Sequence, residues 1–533
     1  MIDIDVILLF YGVAIVLLTQ VILLCGRKKA GADADVSERQ STEPMSEATE
    51  RSERGKPDRV LDKNKLNPSI TNMQIAARDP VINRAMQIEL EMQQGAGRPF
   101  KNIIRANIGD AEAMEHSSMT FNRQLLSCVA NPELIPSYPP DVADRAKAIL
   151  TCCGGFGPGA YNHAQGIEVV RRHVADFITR RDGFDSEYTN IVINNGASEA
   201  IRNVLEMFAN HDRKKRTGVM IPVPTFPLFA ATLDEFGLGK VEYQLDEEKG
   251  WSIDEKELDR AYDDSRKKYD TKVLVVINPG SPTGHLLSRE NIQAIVKFAH
   301  RHGLFIMADE VYQDNVHPSD AKFISFKKVM REMSEPYNRL ELVSFHSVSK
   351  GYMGECGVRG GYAEFYNMDP EVFGLYKKLI SAKQFPSILS QAAVDALVNP
   401  PKQSDPSFEQ WAAEKKAALE GFKKRAAMVK QAFNGVEGLT CNDIQASLYA
   451  FPRVQMPPGA IEKAKKEGVE PDFLYAMELL EATGVCVVPG CAFGQKEDTY
   501  HFRMTILPHE GVLQDMLDRI KVFHIGFMKQ YKQ

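Results

Sequence analysis

From about residue 160 onward, short β-branched runs alternate with longer stretches of helical periodicity, and this alternation leaves few folds open to the chain. Residues 191–195, 218–222, 273–277, 304–308 and 341–345 have strand character. Residues 198–209, 226–236, 288–302 and 376–397 have helical character. The pattern predicts an α/β fold in which a mainly parallel sheet is covered by helices on both faces. Binding sites in such sheets lie beyond the carboxyl ends of the strands. Past Pro401 the character shifts to long helices, 410–433 and 472–483, with strand candidates at 448–452 and 500–506. An amphipathic helix is expected over 72–93, ending at Gly95. No internal repeat is visible.

A length of 533 residues allows about three domains of ordinary size, or fewer large ones. The chain is 44% hydrophobic, enough for a sizeable core. Its net charge of -6 offers no general basic surface, so nucleic acid is not an expected partner. The 12 histidines and 8 cysteines show no zinc-ligand spacing, and no metal is expected. Cysteines scattered through so large a chain point to a reduced, intracellular setting rather than a disulfide framework.

The first residues differ from the rest. Residues 6–24 form an apolar run interrupted only by Gly12, Thr19 and Gln20. At about 1.5 Å per residue it spans roughly 28 Å, close to the thickness of a bilayer core. Arg27, Lys28 and Lys29 follow, while Asp3 and Asp5 precede it. The positive-inside rule then places the remainder in the cytosol, giving a single-helix membrane anchor within residues 1–29. The alternative is a soluble cytoplasmic or mitochondrial enzyme whose folded part begins near residue 60. Residues 30–65 are poor in large apolar side chains and have the composition of a flexible linker.

The densest chemical signal is the run from Ser344 to Tyr362, in which a buried strand leads through small hydroxyl residues to Lys350, a glycine-rich turn and Arg359. Hydroxyls and an arginine hold a phosphate, and a lysine amine forms a Schiff base with an aldehyde. Pyridoxal phosphate carries both groups. Taken by itself, a Ser-x-Ser-Lys string is a polar loop. Other segments change that reading. Asp309 ends a strand, where it can pair with a pyridinium nitrogen or cap the next helix, and Tyr312 follows it. Gly196 to Ala200 links a strand to a helix whose N-terminus can meet an anion; Ser198 there is a candidate N-cap. Phe226, after another strand, is a ring for a cofactor face or a core phenylalanine. The glycine-rich stretch 154–161 lacks a strand–GxGxxG–helix context, so it is not a nucleotide loop. Arg503 is a candidate for gripping a carboxylate with two prongs, or a surface ion pair.

These segments, in this order from about Asn107 to the end, resemble alanine aminotransferases within the fold-type I pyridoxal-phosphate enzymes. The resemblance covers about residues 70–530. It implies a large cofactor-binding domain over 151–400 and a smaller α/β domain built from 66–150 and 401–533. It makes Lys350 the catalytic Schiff-base lysine and Asp309 the partner of the ring nitrogen. Tyr312 then bonds the ring's 3-oxygen, and Phe226 stacks on the ring. The phosphate falls to Ala197, Ser198, Ser347 and Arg359. Arg359 stands nine residues after the lysine, as in alanine aminotransferases, where most relatives have eight. Ser281 occupies a position usually held by asparagine, in Asn278-Pro279-Gly280-Ser281-Pro282-Thr283-Gly284. Arg503 takes the substrate carboxylate, and Gly109 lets the backbone lie close to the substrate. Tyr161 reaches the partner subunit's cofactor phosphate, which implies a homodimer. The implied reaction converts L-alanine and 2-oxoglutarate to pyruvate and L-glutamate. Other amino and 2-oxo acids, such as the glutamate:glyoxylate pair, remain open, as does a non-catalytic anchored scaffold.

Overall fold

The computed structural model describes residues 66–73, 80–154, 157–210 and 214–532. The expected anchor over 6–24 and the linker over 30–65 lie outside the described residues. Among the described residues, no helix is long and apolar enough to cross a membrane.

Seven strands form the main sheet: β1 (Ile191–Asn194), β2 (Arg216–Val223), β3 (Gly239–Gln244), β4 (Tyr269–Ile277), β5 (Phe305–Asp309), β6 (Leu342–Ser347) and β7 (Gly361–Tyr366). Their order is β1-β7-β6-β5-β4-β2-β3. The β2/β3, β2/β4, β4/β5 and β5/β6 pairs are parallel, and β7 runs antiparallel to both β1 and β6. β5 and β6 are buried along their whole length, as strands covered on both faces must be. β3 at the edge alternates buried and more exposed positions instead. The antiparallel β7 follows from its connection. The chain returns from β6 through a loop with no helix, whereas parallel returns usually run through a helical crossover. That loop carries Lys350 and Arg359.

The expected elements agree with the observed ones to within a few residues, with one clear exception. The helix expected over 376–397 is two helices, Pro370–Ala382 and Ile388–Val398. Gln384 between them has φ 75°, and Pro386 has no N–H to continue a helical ladder. Of the helix expected over 72–93, Pro80–Gln93 is helical, and residues 74–79 lie outside the described residues.

Apolar side chains collect in several clusters. On the sheet, Val192, Val219, Val275, Met307 and Phe345 pack with helix Ala197–Glu206. Helices Thr120–Ala130 and Pro140–Thr151 pack with Ile193 and Ala392. A separate cluster joins Val81, Ala85 and Ile88 of helix Pro80–Gln93 to Phe433, Leu479, Phe502 and Leu517.

Lys327 and Glu364 form an ion pair with side-chain exposures of 1% and 4%, and Ser186 Oγ also donates to Glu364. Removing one member of such a pair strands a buried charge. Lys327→Met should therefore lower the unfolding free energy by about 3–5 kcal/mol in urea titration, and Lys327→Met/Glu364→Leu should recover most of it.

Candidate active site

Four of the parallel strands, β2, β4, β5 and β6, deliver residues to one edge of the sheet. Phe226 follows β2, Ser281 follows β4, Asp309 ends β5, and Ser347 ends β6 with Lys350 three residues on. One cavity of about 220 Å³ is lined by Ala197, Ser198, Phe226, Ser281, Asp309, Tyr312, Ser347, Lys350, Arg359 and Arg503, together with Ser349, Cys356 and Tyr449. Ten of the residues singled out in the sequence thus share one wall. Gly109 joins them through its carbonyl, which accepts from Lys350 Nζ at 2.7 Å. Tyr161 does not: its side chain is 81% exposed and meets the edge of Phe385 at 5.3 Å between ring centroids.

Helix Ala197–Glu206 points its N-terminus at the cavity. The cap is Gly196, at φ 86° and ψ 164°, and not the expected Ser198, which lies inside the first turn. Glycine is needed there on two counts. The φ is one that side-chain-bearing residues rarely adopt, and an added Cβ would stand 2.6 Å from Arg359 Nη2. Arg359 itself has φ 61°, and its Nη1 donates to the Cys356 carbonyl at 2.7 Å. An arginine guanidinium and a helix N-terminus therefore face the same space, the arrangement that binds a phosphate.

Asp309 does not cap a helix. Its Oδ1 accepts from Val311 N at 3.3 Å, and the helix that follows, Phe326–Glu332, is capped by Ser325. Burial pushes the Asp309 carboxyl up to about 7, only partly opposed by the Val311 N–H. Among the described residues no lysine, arginine or histidine pairs with it. The next residue, Glu310, faces away and is also raised by burial, to about 8, against the pull of Arg181.

Arg503 is buried on the opposite side of the cavity. Its Nη2 donates to the Asn107 carbonyl at 2.8 Å, and its Nε has no hydrogen-bond partner among the described residues. Tyr449 and Phe493 pack against the guanidinium, with ring centroids at 4.1 and 4.8 Å. The surface-pair alternative for this arginine is thereby excluded: it is a buried cation with no carboxylate partner among the described residues.

Tyr312 and Tyr449 meet edge to face at 6.3 Å between ring centroids, and Ser281 lines the same cavity. Burial, with Tyr449 and Asp309 nearby, holds the Tyr312 phenol well above its ordinary value, against Arg503 and Ser281. Burial also pushes Tyr449 upward, but Lys350 and Arg503, with Tyr312, outweigh it and bring that phenol below its ordinary value. The sequence offered no sign of Tyr449 beyond a short strand. Cys356, half-buried with Sγ 4.0 Å from Lys350 Nζ, lay inside the lysine run without attracting a role.

Residues 156–520 match the aminotransferase class I and II family. The chain belongs to this family. Human "Alanine aminotransferase 1" is 47% identical to it, over 89% of this chain and 96% of the human one. Xenopus laevis "Alanine aminotransferase 2" is also 47% identical, over 92% of each. The "Probable alanine aminotransferase, mitochondrial" of Dictyostelium discoideum is 41% identical, over 87% of this chain and 89% of its own length. Among solved structures, the alanine aminotransferase of Pyrococcus furiosus superposes with a TM-score of 0.68 at 21% identity, covering 87% of this chain and all of that one. An Escherichia coli aminotransferase superposes at 0.66, also at 21% identity, covering 87% and 98%. At such identities the likeness shows a shared fold.

Pyridoxal phosphate is the cofactor of this aminotransferase family. The donor set fits it: a lone amine, an unpaired buried carboxyl, and an arginine beside a helix N-terminus with a glycine where any Cβ would collide. Asp309 also carries a pH signature. A carboxyl raised to about 7 in the folded chain holds more protons than the unfolded chain does between about pH 4 and 7, so its ionisation lowers stability as pH rises through that window. In the cofactor-free protein, Asp309→Asn should remove this loss, making the variant more stable than wild type at pH 8 by about 4 kcal/mol. Urea unfolding at pH 5 and pH 8 reads the difference. The same variant should bind pyridoxal phosphate more weakly.

Proposed function

We propose that this chain transfers the amino group of L-alanine to 2-oxoglutarate, giving pyruvate and L-glutamate. The observation that carries this reading is the pairing, across one cavity, of the Lys350 amine with a buried Arg503 whose guanidinium has no carboxylate partner among the described residues. The names of relatives at 45–47% identity support alanine as the donor.

Pyridoxal phosphate, when bound, supplies an aldehyde carbon that takes up the amino group and a ring that accepts the electrons of a broken Cα–H bond. The chain's own residues do the rest. Arg503 binds the α-carboxylate by a forked pair and so aims the substrate's Cα–H bond. Lys350 Nζ takes the proton from Cα and returns one to the other side of the transfer, as a general base and then a general acid. Asp309 would hold the ring nitrogen protonated, Tyr312 and Ser281 would face the ring's 3-oxygen, and Phe226 would lie against the ring. Arg359, Ser347 and the N–H groups of Ala197 and Ser198 would hold the phosphate. Gly109 keeps the wall thin beside the substrate.

The same reading assigns Tyr161 to the partner subunit's phosphate in a homodimer; its exposure is what such a role requires. It also keeps residues 66–150 and 401–533 as a smaller domain beside the 151–400 cofactor domain. The apolar run over 6–24 with its trailing basic residues supports a membrane anchor with the enzyme on the cytosolic side. Fractionation of cells expressing the full chain checks this: recovery in alkali-washed membranes is expected, and recovery in the cytosol or the mitochondrial matrix would replace it.

The activity is tested by following pyruvate from the full-length chain with pyridoxal phosphate, L-alanine and 2-oxoglutarate. Turnover is expected, lowered at least about 10³-fold in Lys350→Ala. Arg503→Lys should raise KM for alanine by about 10- to 100-fold, because a point charge replaces a planar fork. Turnover of other amino donors or glyoxylate in place of this pair would reassign the substrates.

A further inference from the structure

The backbone from Asn107 to Gly109 is held from both sides of the cavity. Lys350 Nζ donates to the Gly109 carbonyl at 2.7 Å, and Arg503 Nη2 donates to the Asn107 carbonyl at 2.8 Å. The arginine and the lysine are thus tied to one three-residue segment.

Tyr449 touches every part of this arrangement. It begins the short strand Tyr449–Ala450, which pairs with Phe502–Thr505, the strand that carries Arg503. Its side chain is buried, with 4% of the residue exposed. The ring lies 4.1 Å from Arg503 Cζ and 5.9 Å from Lys350 Nζ. Its hydroxyl occupies the space in which a side chain at position 109 would begin: an added Cβ would stand 1.8 Å from Oη and 2.5 Å from Cζ. Gly109 is therefore a glycine for the sake of Tyr449 as much as for the sake of a substrate.

We propose that Tyr449 is a positioning residue that couples the carboxylate-binding arginine to the lysine, its ring serving as the platform for Arg503 and its hydroxyl as the wedge that sets the 107–109 segment. The physical need for a platform is plain. Arg503 is buried, its Nε has no hydrogen-bond partner among the described residues and its contact to Asn107 is a single hydrogen bond, so the rings of Tyr449, at 4.1 Å, and Phe493, at 4.8 Å, are what hold its plane, Tyr449 being the nearer. An aromatic face attracts a guanidinium without consuming its N–H groups, leaving the fork for a carboxylate. The wedge acts at the other end. Moving the Gly109 carbonyl moves the acceptor of Lys350 Nζ, and reaction rates fall steeply with sub-ångström misplacement of the reacting groups. Lys350 and Arg503 lie close enough to Tyr449 to bring its phenol below the ordinary value.

This inference rests on the roles given to Arg503 and Lys350 above, and its test separates the two. The probe is propionate, a monocarboxylate with no amine, titrated against full-length, cofactor-loaded protein while the cofactor absorbance is followed. Tyr449→Leu should weaken propionate by about tenfold, since the platform is lost. Tyr449→Phe keeps the ring, so propionate affinity should stay within about threefold of wild type while kcat falls by up to about tenfold through loss of the wedge. Gly109→Ala should lower propionate affinity strongly in wild type and much less on top of Tyr449→Leu, because the clash partner is gone; that non-additivity marks direct coupling. Should Tyr449→Leu fail to load cofactor, Tyr449→Met carries the same comparison. Unchanged propionate affinity in the variant without the ring, or additive effects of the two sites, would overturn the coupling. A wild type that binds propionate but does not transaminate alanine would overturn the proposed reaction and leave the Tyr449 comparison standing.

Discussion

The parallel ladder through β4, β5 and β6 is the constraint on which the site depends. Ile277 is in register with Asp309, and Asp309 with Phe345, so the three strands stop at nearly the same level. Whatever follows them must emerge along one edge. Ser281, Tyr312 and Lys350 come from three connections that are far apart in sequence, yet the shared register sets them around one cavity. The return of the chain as an antiparallel β7 adds to this. It spares a crossover and leaves the loop between β6 and β7 free to wrap the cavity with Lys350, Cys356 and Arg359.

Electrostatics inside the cavity are unbalanced in a useful way. Asp309 is a buried carboxyl with no cation among the described residues, and Arg503 is a buried guanidinium with no anion among them. Each carries a desolvation cost that a charge of the opposite sign offsets. Under the proposed assignment, a protonated ring nitrogen beside Asp309 and a carboxylate beside Arg503 would be such charges, and part of the binding energy would come from relief of costs built into the fold. Burial, with Tyr449 beside it, raises the Tyr312 phenol, while Lys350 and Arg503 outweigh burial at Tyr449 and lower that phenol.

Much of this was legible in the residue pattern. The strands were visible because central parallel strands are apolar on both faces, as Val273 to Ile277 are. The cavity residues were visible because they follow those strands and because several carry local chemistry that few other contexts require: Lys350 after two hydroxyl residues, Asp309 at a strand end, Gly196 before a helix. The break at Gln384 to Pro386 was passed over because both flanking segments keep a helical apolar period. The cap of helix Ala197–Glu206 was misplaced by two residues, since Ser198 is a strong N-cap type while Gly196 wins through its left-handed φ and the closeness of Arg359. Tyr449 had no local signature at all. It is defined by distances to Gly109, Lys350 and Arg503, residues spread over most of the chain, and such proximity exists only once the chain is folded.

In the proposed reaction the Lys350 amine moves the proton of an amino acid whose carboxylate Arg503 holds. Incubating the cofactor-loaded protein with L-alanine in D₂O, with no 2-oxo acid present, and following the alanine Cα–H signal by NMR tests this most directly. The signal should be lost by exchange in wild type and retained in Lys350→Ala that still binds cofactor. Equal exchange in the two proteins would rule out Lys350 as the proton carrier.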